Sequence, residues 1–582
     1  MLIINTLVHF FIYSFFISSI YGYGLAFNKF IFKYDSNYGE KGLYGFILIY
    51  FIVFVLHFII PINIVLSFSL LILGSLYYLK KILFSHKKIS FSKEVLIIFL
   101  LSYISSLTVN LHDDVRSYQL PYINLVQDFR IIFGLVNIND FYVYSHGLYD
   151  IMAFFKIPYY ENRFIFLIPV IFIFFFICSI YDILKKSKSN IVATYIFLIL
   201  CLFLLKFYRS KEFGTDLPVT SVIFLCQIYF LKIFDEFDKV FFAKLVIFSL
   251  FAFFLKVYSF LLIFLIFYFY SNYQKIYSFF KSNYILTIFL IFFSVISFSK
   301  SFILSGCFVY PEPKTCVSSK IVKWSYDKDL TGYRKDFLAA GSKGWRQYLR
   351  LNDFDNLISA KDYLEYNKIK YLYYVFHDND RERVLLPVLL TLLFFLIAFF
   401  FYKIKTVKFI IPNKLLYYSG ITFVCWLYLF PISKYGGYAY VLFFSYLFLL
   451  KIFNNFEFNQ KFFSSILIVL TFFFGYKNLN RIYEEIIPIK KHQIDPNFNN
   501  NDFPIPIFKD IKFKSIIIDN VNVNITNDEY ECSNIKPICI PLLAENLVSF
   551  EKKNDYLFVY GDKNKLINYQ QRWTDKTHYL ID

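Results

Sequence analysis

The sequence predicts a polytopic α-helical membrane protein. Of the 582 residues, 58% are hydrophobic and 23% are aromatic, and the mean hydropathy is +0.52, far above the values of soluble proteins. Apolar runs that are long enough to cross a bilayer, or nearly so, recur from Met1 to Phe474, and we count about 14 of them. A drift in codon usage explains the abundance of phenylalanine and isoleucine, so aromatic stripes carry no functional weight.

The distribution of lysine predicts the orientation in the membrane. The first run, Met1 to Ala26, has no basic start and no small-residue cleavage site, so it predicts a spanning helix rather than a cleaved signal. If this helix begins outside, every second connection is rich in lysine, as cytoplasmic loops are. Loops that face anionic lipid also explain the net charge of +18 without any nucleic-acid partner. We expect a bacterial inner (cytoplasmic) membrane protein with both termini in the periplasm.

Polar stretches divide the chain into six regions. The C-terminal region, residues 477–582, contains SIIIDNVNVNIT, whose β-branched alternation predicts a strand. We therefore expect a small α+β periplasmic region there. The second large loop is predicted to be a lid or a second outer loop, with Trp324 and Trp345 available to pack it onto the membrane surface. The six regions are N-terminal transmembrane helices (1–109), a first large periplasmic loop (110–163), transmembrane helices (164–304), a large periplasmic loop (305–383), C-terminal transmembrane helices (384–476) and a periplasmic C-terminal region (477–582).

The first large loop begins with an acidic pair, Asp113 and Asp114, at the point where a spanning helix ends. Partial desolvation at a membrane boundary makes a carboxylate a stronger general base, so this position favours chemistry over a merely solvated helix end. Apolar residues then recur at helical spacing from Tyr122 to Phe133 and stop at Gly134. This pattern predicts an amphipathic helix that lies in the membrane surface.

The acidic pair, placed in the first large outward loop and followed by a surface-lying helix, resembles the GT-C class of integral-membrane glycosyltransferases. The segments SHGLYD (145–150), FGTDLP (213–218), SGCFVYPEPKTC (305–316) and SKGW (342–345) are also similar to an uncharacterised bacterial family of large membrane proteins near that class. The resemblance covers roughly residues 110–440.

The resemblance implies an enzyme that transfers a sugar from a polyprenyl-phosphate-linked donor to a cell-envelope glycan or lipid acceptor on the periplasmic face. It places the catalytic base in the first acidic position, Asp113, although spacing alone does not choose between Asp113 and Asp114. The second carboxylate would position the acceptor or a divalent cation, magnesium or manganese. Membrane lipids are further partners.

Transfer from a lipid phosphate also needs cations that stabilise the departing phosphate. Lys256 is the first choice because a charge between two apolar runs is costly without a counter-charge, with snorkelling to the interface as the alternative. Arg209 and Lys211 are equally placed to pair with Glu212 and Asp216. The candidate phosphate-binding residues are Lys256, Lys434, Arg116, Arg209 and Lys211.

Two further residues are candidates for assisting roles. His146 has the chemistry of an acid or a ligand, although a lone histidine in a tyrosine-rich loop is more often a packed or surface residue. Asp216 is placed to cap the helix whose first turn contains Pro218, which is an alternative to a catalytic role.

The eight cysteines fall into two groups. Cys178, Cys201, Cys226 and Cys425 lie in predicted spans and are expected to be packing residues. The other four form two close pairs in regions assigned to the periplasm, and neither pair has the spacing of a zinc site. These pairs predict two disulfides, with unpaired buried thiols as the alternative: Cys307 with Cys316, and Cys532 with Cys539.

Two other functions remain open from the sequence. An O-antigen polymerase or ligase also handles lipid-linked glycans, but it would depend on outward-facing arginines rather than on an acidic pair. A flippase or transporter of lipid-linked glycans would need no covalent chemistry. The sequence has no P-loop and no dinucleotide-binding motif, which argues against chemistry on soluble nucleotides.

Overall fold

The structure is a computed structural model of a predominantly helical chain. It describes residues 2–84, 92–109, 111, 114–144, 146–187, 189–210, 214–234, 236–351, 358–366, 369–377, 380–401, 412–452, 460–486, 503–505, 508, 511–527, 532–536, 538–540 and 547–566. Among these residues, seven helices are long and apolar enough to cross a membrane. The number is eight if a pair bent by 63°, Val257–Phe267 with Tyr270–Ser282, is one broken span.

The described α-helices and β-strands follow in chain order. The α-helices are α1 (Leu2–Phe27), α2 (Tyr38–His57), α3 (Ile64–Phe84), α4 (Lys93–Ser106), α5 (Leu120–Asp128), α6 (His146–Ala153), α7 (Ile168–Lys186), α8 (Asn190–Lys206), α9 (Asp216–Ile233), α10 (Lys239–Leu255), α11 (Ile263–Phe267), α12 (Tyr273–Ser282), α13 (Tyr284–Ser305), α14 (Lys328–Ser342), α15 (Trp345–Leu351), α16 (Ala360–Tyr366), α17 (Tyr371–His377), α18 (Asp380–Phe401), α19 (Asn413–Leu429), α20 (Tyr438–Ile452) and α21 (Gln460–Ile486). The strands are β1 (Phe513–Ile518), β2 (Val521–Thr526), β3 (Ile538–Ile540), β4 (Val548–Lys553) and β5 (Tyr556–Gly561).

Helices α7 and α9 form the centre of the bundle. Their side chains are apolar on nearly every face and almost all of them are buried, which is the pattern of a helix enclosed by other helices. Outer helices approach closely where small residues face each other. A Cβ atom at Gly22 of α1 would lie 1.9 Å from the carbonyl oxygen of Gly74 in α3, so the absence of side chains there allows the two helices to pack tightly.

The two ends of the bundle differ in charge. At one end, which we call the lysine end, α4 begins at Lys93, α7 ends at Lys186 and α10 begins at Lys239. At the other end, which we call the loop end, α4 leads into the acidic segment, α9 begins and α10 finishes. The two large loops and the C-terminal strands gather at the loop end.

The first large loop differs from the surface helix that the sequence predicts. Helix α5 is only nine residues long, and its side chains from Leu120 to Gln127 are all buried. It is therefore packed inside the protein rather than laid on lipid. Gly134 does not end a long helix: with φ of 71° it precedes a short 3₁₀ turn, and its N–H donates to the carbonyl of Ile303 at 2.9 Å.

The second large loop contains the helices α14 to α17. Trp345 is buried with Tyr363 in a small core formed by these helices, and the ring of Trp324 lies 5.1 Å from that of Phe133 in the first loop. The expectation that Trp345 packs onto the membrane surface is wrong, because its ring is buried in this core. Trp324 is half-buried.

The C-terminal region contains a small sheet, as the sequence predicts. Strands β1 and β2 pair antiparallel, β3 adds parallel to β2, and β4 and β5 form a separate hairpin. The hairpin docks on the first loop, since the N–H of Phe133 donates to Leu557 and the N–H of Val559 donates to Phe133. Helix α21 continues to Ile486, so the tail begins ten residues later than the predicted boundary at 476.

Both cysteine pairs outside the predicted spans form disulfides. Cys307 is bonded to Cys316 and Cys532 is bonded to Cys539. The four remaining cysteines are free thiols and none is exposed. The disulfides close short loops at the loop end, which lies on the side that the sequence assigns to the periplasm.

A fully buried ion pair joins the first loop to the bundle. Lys300 of α13 donates to an oxygen of Asp150 in α6 at 2.6 Å, and both side chains are 0% exposed. The hydroxyl of Tyr122 in α5 donates to the same oxygen at 2.9 Å, and the ammonium lies 4.2 Å from the centre of the Phe54 ring. Asp150 is the last residue of the SHGLYD segment, so this motif residue has a structural role.

We expect Lys300→Met to lower the free energy of unfolding by about 3–5 kcal/mol, because it removes the cation that neutralises a buried carboxylate. Thermal unfolding of the detergent-solubilised protein, followed by size-exclusion chromatography, measures the loss. The double variant Asp150→Leu with Lys300→Met is the matched control and should recover part of the stability, because it buries no charge. A single variant as stable as the wild type would contradict this role.

Candidate functional site

The backbone from Leu107 to Val109, between α4 and the acidic pair, is held by hydrogen bonds with α21. The guanidinium of Arg481 in α21 donates to the carbonyl of Leu107 at 2.9 Å, and so satisfies one of the carbonyl groups that the end of α4 leaves open. Glu485, one turn further along α21, accepts from the hydroxyl of Thr108 at 2.8 Å and from the N–H of Val109 at 3.2 Å. Arg481 and Glu485 are themselves 3.2 Å apart and buried. This clamp holds the backbone just before the acidic pair.

Asp114 lies at the start of the π-helical turn Val115–Gln119 and is half-buried. The hydroxyl of Tyr118, one turn later, donates to its carboxylate at 2.7 Å. Burial raises the pKa of Tyr118 well above its ordinary value, and Tyr149, Asp114 and Asp216 raise it further. The Tyr118 phenol therefore keeps its proton and remains a donor to Asp114. The carboxylates of Asp114 and Asp216 both lie close to Tyr118.

Asp216 and Lys256 form an ion pair between two neighbouring helices. Asp216 is the first residue of α9, and Lys256 follows the last residue of α10. Their side chains are 19% and 15% exposed, and the ammonium lies 3.3 Å from the carboxylate. Thr215, not Asp216, is the N-cap of α9, so the capping role weighed from the sequence is wrong. The counter-charge that Lys256 requires is Asp216.

Lys434 lies in the turn Ser433–Gly437 that precedes α20, where Gly436 has a φ of 76°. The side chain of Lys434 is exposed. The hydroxyl of Tyr258, two residues after Lys256, donates to the Lys434 carbonyl at 3.4 Å, and the Tyr258 and Tyr435 rings lie 5.5 Å apart. Tyr435 interacts electrostatically with Lys434, Asp216 and Asp114. The fold thus brings Asp114, Asp216, Lys256 and Lys434 from four separate segments to one place.

The other residues predicted for the site lie further from this group of four or are not among the residues that the structure describes. The backbone carbonyl of Arg116 accepts from the N–H of Ser533 in the C-terminal region at 2.9 Å. The Arg209 guanidinium lies 5.8 Å from the ring of the adjacent Tyr208. Three predicted features lie outside the described residues: Asp113, Lys211 and the side chain of His146, whose backbone begins α6.

Arg334 is a residue of this region that the sequence did not single out. It lies on α14 of the second loop, donates to Tyr144 at 2.6 Å and pairs with Asp140 at 2.8 Å. The guanidinium also lies 4.1 Å from the centre of the Phe141 ring. Burial raises the pKa of Tyr144, Arg334 lowers it and Asp140 raises it, and the net shift is a rise. Arg334 and Asp140 are nearly 200 residues apart, so no local pattern connects them.

A small cavity separates the Arg334 cluster from Lys256. Its volume is about 30 Å³, and its polar lining comes from Tyr144, Lys256, Ser297, Ser301 and Tyr310. This volume admits one group of the size of a water molecule and is too small for a sugar ring. The hydroxyl of Tyr310 is buried without a hydrogen-bond partner, so it is available to a polar group placed here.

Metal ligation can be tested on the described residues. No group of three histidine, cysteine, aspartate or glutamate side chains with metal-binding geometry occurs among them. Asp114 and Asp216 both lie near Tyr118, but Asp216 is paired with Lys256. Two carboxylates alone make an incomplete site for a hard divalent cation, which prefers about six oxygen ligands.

A family model matches residues 1–442. The chain belongs to the family described as Domain of unknown function (DUF8201). In this DUF8201 chain, the matched part contains Asp114, Asp216, Lys256, Arg334 and Lys434. Helix α21, with its clamp on the segment after α4, and the C-terminal strands lie beyond the match. No curated protein and no solved structure matches the chain.

We expect Arg334→Lys to lower the free energy of unfolding by about 1–3 kcal/mol, because lysine keeps the charge but loses the planar contacts to Asp140, Tyr144 and Phe141. Thermal unfolding in detergent measures this change. The adjacent Lys335→Arg is the control, since Lys335 is exposed and makes one surface ion pair. Equal stability of the two variants would show that Arg334 acts only as a charge.

Proposed function

We propose that this DUF8201 protein is an inner-membrane glycosyltransferase of the GT-C type. It transfers a sugar from a polyprenyl-phosphate-linked donor to a cell-envelope glycan or lipid acceptor on the periplasmic face. The observation that carries the proposal is the gathering of Asp114, the Asp216–Lys256 pair and Lys434 at one end of an apolar helix bundle. Carboxylates beside cations at the end of membrane helices suit a reaction between a hydroxyl acceptor and a lipid phosphate.

The proposed step is a displacement at the anomeric carbon. A carboxylate of the acidic pair takes the proton of the acceptor hydroxyl, and the acceptor oxygen forms a bond to the anomeric carbon. The bond from that carbon to the phosphate oxygen breaks, and polyprenyl phosphate leaves with the electron pair. The resemblance favours Asp113 as the base. The hydrogen bond from Tyr118 holds Asp114 in the position of an orienting group.

The cations have separate tasks in this proposal. Asp216 holds Lys256 in place, so the ammonium is pre-positioned rather than free to swing toward solvent. Lys434 is exposed on a turn that is fixed by the Tyr258 hydroxyl, and it can meet the phosphate as the donor arrives. Fixed cations stabilise the negative charge that develops on the leaving phosphate without having to reorganise.

An apolar groove between helices supports a lipid-linked donor. It has a volume of about 220 Å³ and is lined mostly by leucine, isoleucine and phenylalanine from α4, α7, α8 and α21. Glu94 marks its lysine end, and Ser105 and Ser210, whose hydroxyls lie 2.9 Å apart, mark its loop end. Beyond that end, the Lys477 ammonium lies 4.7 Å from the Tyr208 ring. An isoprenoid chain fits the apolar lining, and its phosphate would emerge near Lys477.

The predicted topology is part of this proposal. The seven long apolar helices and the bent pair, together with α4, α8, α10, α18, α19 and α21, make about 14 crossings. Each crossing then runs between the lysine end and the loop end. With lysine-rich loops in the cytoplasm, the loop end and both disulfides are periplasmic.

We expect Asp113→Asn and Asp114→Asn each to abolish addition of one sugar to the envelope glycan, because the amide cannot accept the acceptor proton or hold its partner group. Mass analysis of the host envelope glycans, at matched protein level, measures the effect against the gene deletion. Asp329→Asn is the control, since this carboxylate is exposed at the loop end.

Three outcomes of the glycan experiment differ in meaning. Loss of one sugar in the deletion and in both variants supports a transferase. Unchanged glycans in both aspartate variants would remove the catalytic assignment. Accumulation of lipid-linked intermediates in the deletion alone, with both variants like wild type, would favour a flippase or transporter.

We expect reporter fusions after residue 190 to report a cytoplasmic position and fusions after residue 320 a periplasmic one. The physical reason is the excess of lysine at one end of the bundle. Alkaline phosphatase and fluorescent-protein fusions, which are active on opposite sides of the inner membrane, measure the two positions. Reversal of both signals would place the acidic pair in the cytoplasm and overturn the periplasmic reaction.

A further inference from the structure

A second cavity lies at the loop end, between the first loop and the C-terminal region. It has a volume of about 610 Å³, and one wall is the tight turn 157–161, closed by a hydrogen bond from the N–H of Ile157 to the carbonyl of Glu161. The facing wall is the loop that the Cys532–Cys539 disulfide closes. This volume is within the range of about 300–1,000 Å³ that is typical of ligand sites. We call it the tyrosine cavity, after Tyr159 and Tyr160 in its lining.

Tyr159 is placed in a way that the fold does not require. Its side chain is 100% exposed, so it buries no apolar surface. Its φ is 68° and that of Glu161 is 46°, both in the left-handed region that costs free energy for residues with a side chain. A strained turn that presents an aromatic ring wholly to solvent, at the edge of a cavity, is suited to contact with a ligand.

A chain of side-chain amides ends in the tyrosine cavity. Gln127 donates to Asn162 at 2.8 Å, Asn162 donates to Asn124 at 2.7 Å, and Asn124 donates to Asn534 at 3.3 Å. Asn162 and Asn124 each accept at the oxygen and donate from the nitrogen, which fixes the direction of the next amide. Asn534 accepts at its oxygen and lines the cavity, so its NH₂ group is the last donor of this series of amides.

The charges around the cavity are unequal. Lys536 pairs with Glu161 across the two walls at 3.4 Å. Asp128 and Lys156 lie behind them and interact with that pair; burial raises the pKa of Asp128 and lowers that of Lys156. Arg163 is exposed and lines the cavity, and in the described part of the chain no carboxylate lies within ion-pair distance of it. Its guanidinium matches the planar, two-oxygen geometry of a carboxylate.

We propose that the tyrosine cavity binds a carboxylate-bearing stretch of sugar chain. A sugar ring packs on the exposed face of Tyr159, Arg163 holds the carboxylate of an acidic sugar, and the amide of Asn534 donates to a hydroxyl oxygen. The sugar chain bound here is the acceptor of the transfer reaction, and this last assignment rests on the proposed function.

The position of the cavity supports the assignment to the acceptor. Ser533, the neighbour of Asn534, donates its N–H to the carbonyl of Arg116 at 2.9 Å, within the turn that follows Asp114. The Cys532–Cys539 disulfide closes the loop that makes this contact. A sugar chain in the cavity therefore lies next to the segment that carries the acidic pair, and its growing end has a short route to the carboxylates.

The test is a binding measurement on the full-length protein in lipid nanodiscs. The probes are tetragalacturonate, which is acidic, and maltotetraose, a neutral chain of equal length; calorimetry gives the dissociation constants. We expect tetragalacturonate to bind more tightly, and Tyr159→Ala and Arg163→Gln each to weaken it by about tenfold or more. Lys320→Gln, which removes an exposed cation of the second loop away from the cavity, should leave the affinity unchanged.

Each outcome has a definite meaning. Equal affinities of the wild type, Tyr159→Ala and Arg163→Gln for tetragalacturonate would overturn the site, and tighter binding of maltotetraose would overturn the acidic class. Tyr159 is fully exposed, so a loss of binding in its variant is not a folding defect; thermal unfolding verifies this. If binding depends on Tyr159 and Arg163 while Asp113→Asn and Asp114→Asn both leave envelope glycans unchanged, the cavity stands and the proposed transferase fails.

Discussion

The buried ion pair between Asp150 and Lys300 fixes the relation between the bundle and everything built on its loop end. Two charges in an apolar interior are costly, and they are tolerated only when geometry and further hydrogen bonds compensate. Here Lys300 and Tyr122 both donate to one carboxylate oxygen. Because Tyr122 belongs to α5, Asp150 to α6 and Lys300 to α13, a single oxygen sets the register of three segments. The turn with Asp114 leads directly into α5, so its position follows from this pair.

The candidate site places three carboxylates in three electrostatic settings. Asp140 faces the guanidinium of Arg334, Asp216 faces the ammonium of Lys256, and Asp114 accepts a hydrogen bond from the neutral phenol of Tyr118. A carboxylate held against a cation keeps that cation in a fixed position. Asp140 and Asp216 are thus suited to hold Arg334 and Lys256 in place, and the Tyr118 hydroxyl orients Asp114.

The sequence predicted a helical fold with apolar spans, and it predicted that several residues of the candidate site lie at one end, because both features depend on composition and on chain order. The apolar runs predicted the helices, and the uneven distribution of lysine predicted two unlike ends of the bundle. Residues predicted at the same end were expected to be neighbours, as Asp114, Asp216, Lys256 and Lys434 are. The sequence failed where long-range packing decides. Helix α5 has the pattern of a surface helix, but α6 and the C-terminal region cover it. Arg334 and Arg481 find their partners far away in the chain, which no local pattern shows.

The chain separates the groups that would carry the chemistry from some of the groups that hold them in place. Asp114, Asp216, Lys256 and Lys434 all lie within the DUF8201 match, whereas Arg481, Glu485 and Asn534 lie beyond it. Yet the backbone that leads to Asp114 is held from one side by Arg481 and Glu485, and the turn that follows is held by the N–H of Ser533. The acidic segment therefore has contacts on both sides from the last hundred or so residues. A carboxylate can act on a bound group only if its direction is fixed, and here residues beyond the DUF8201 match supply that constraint.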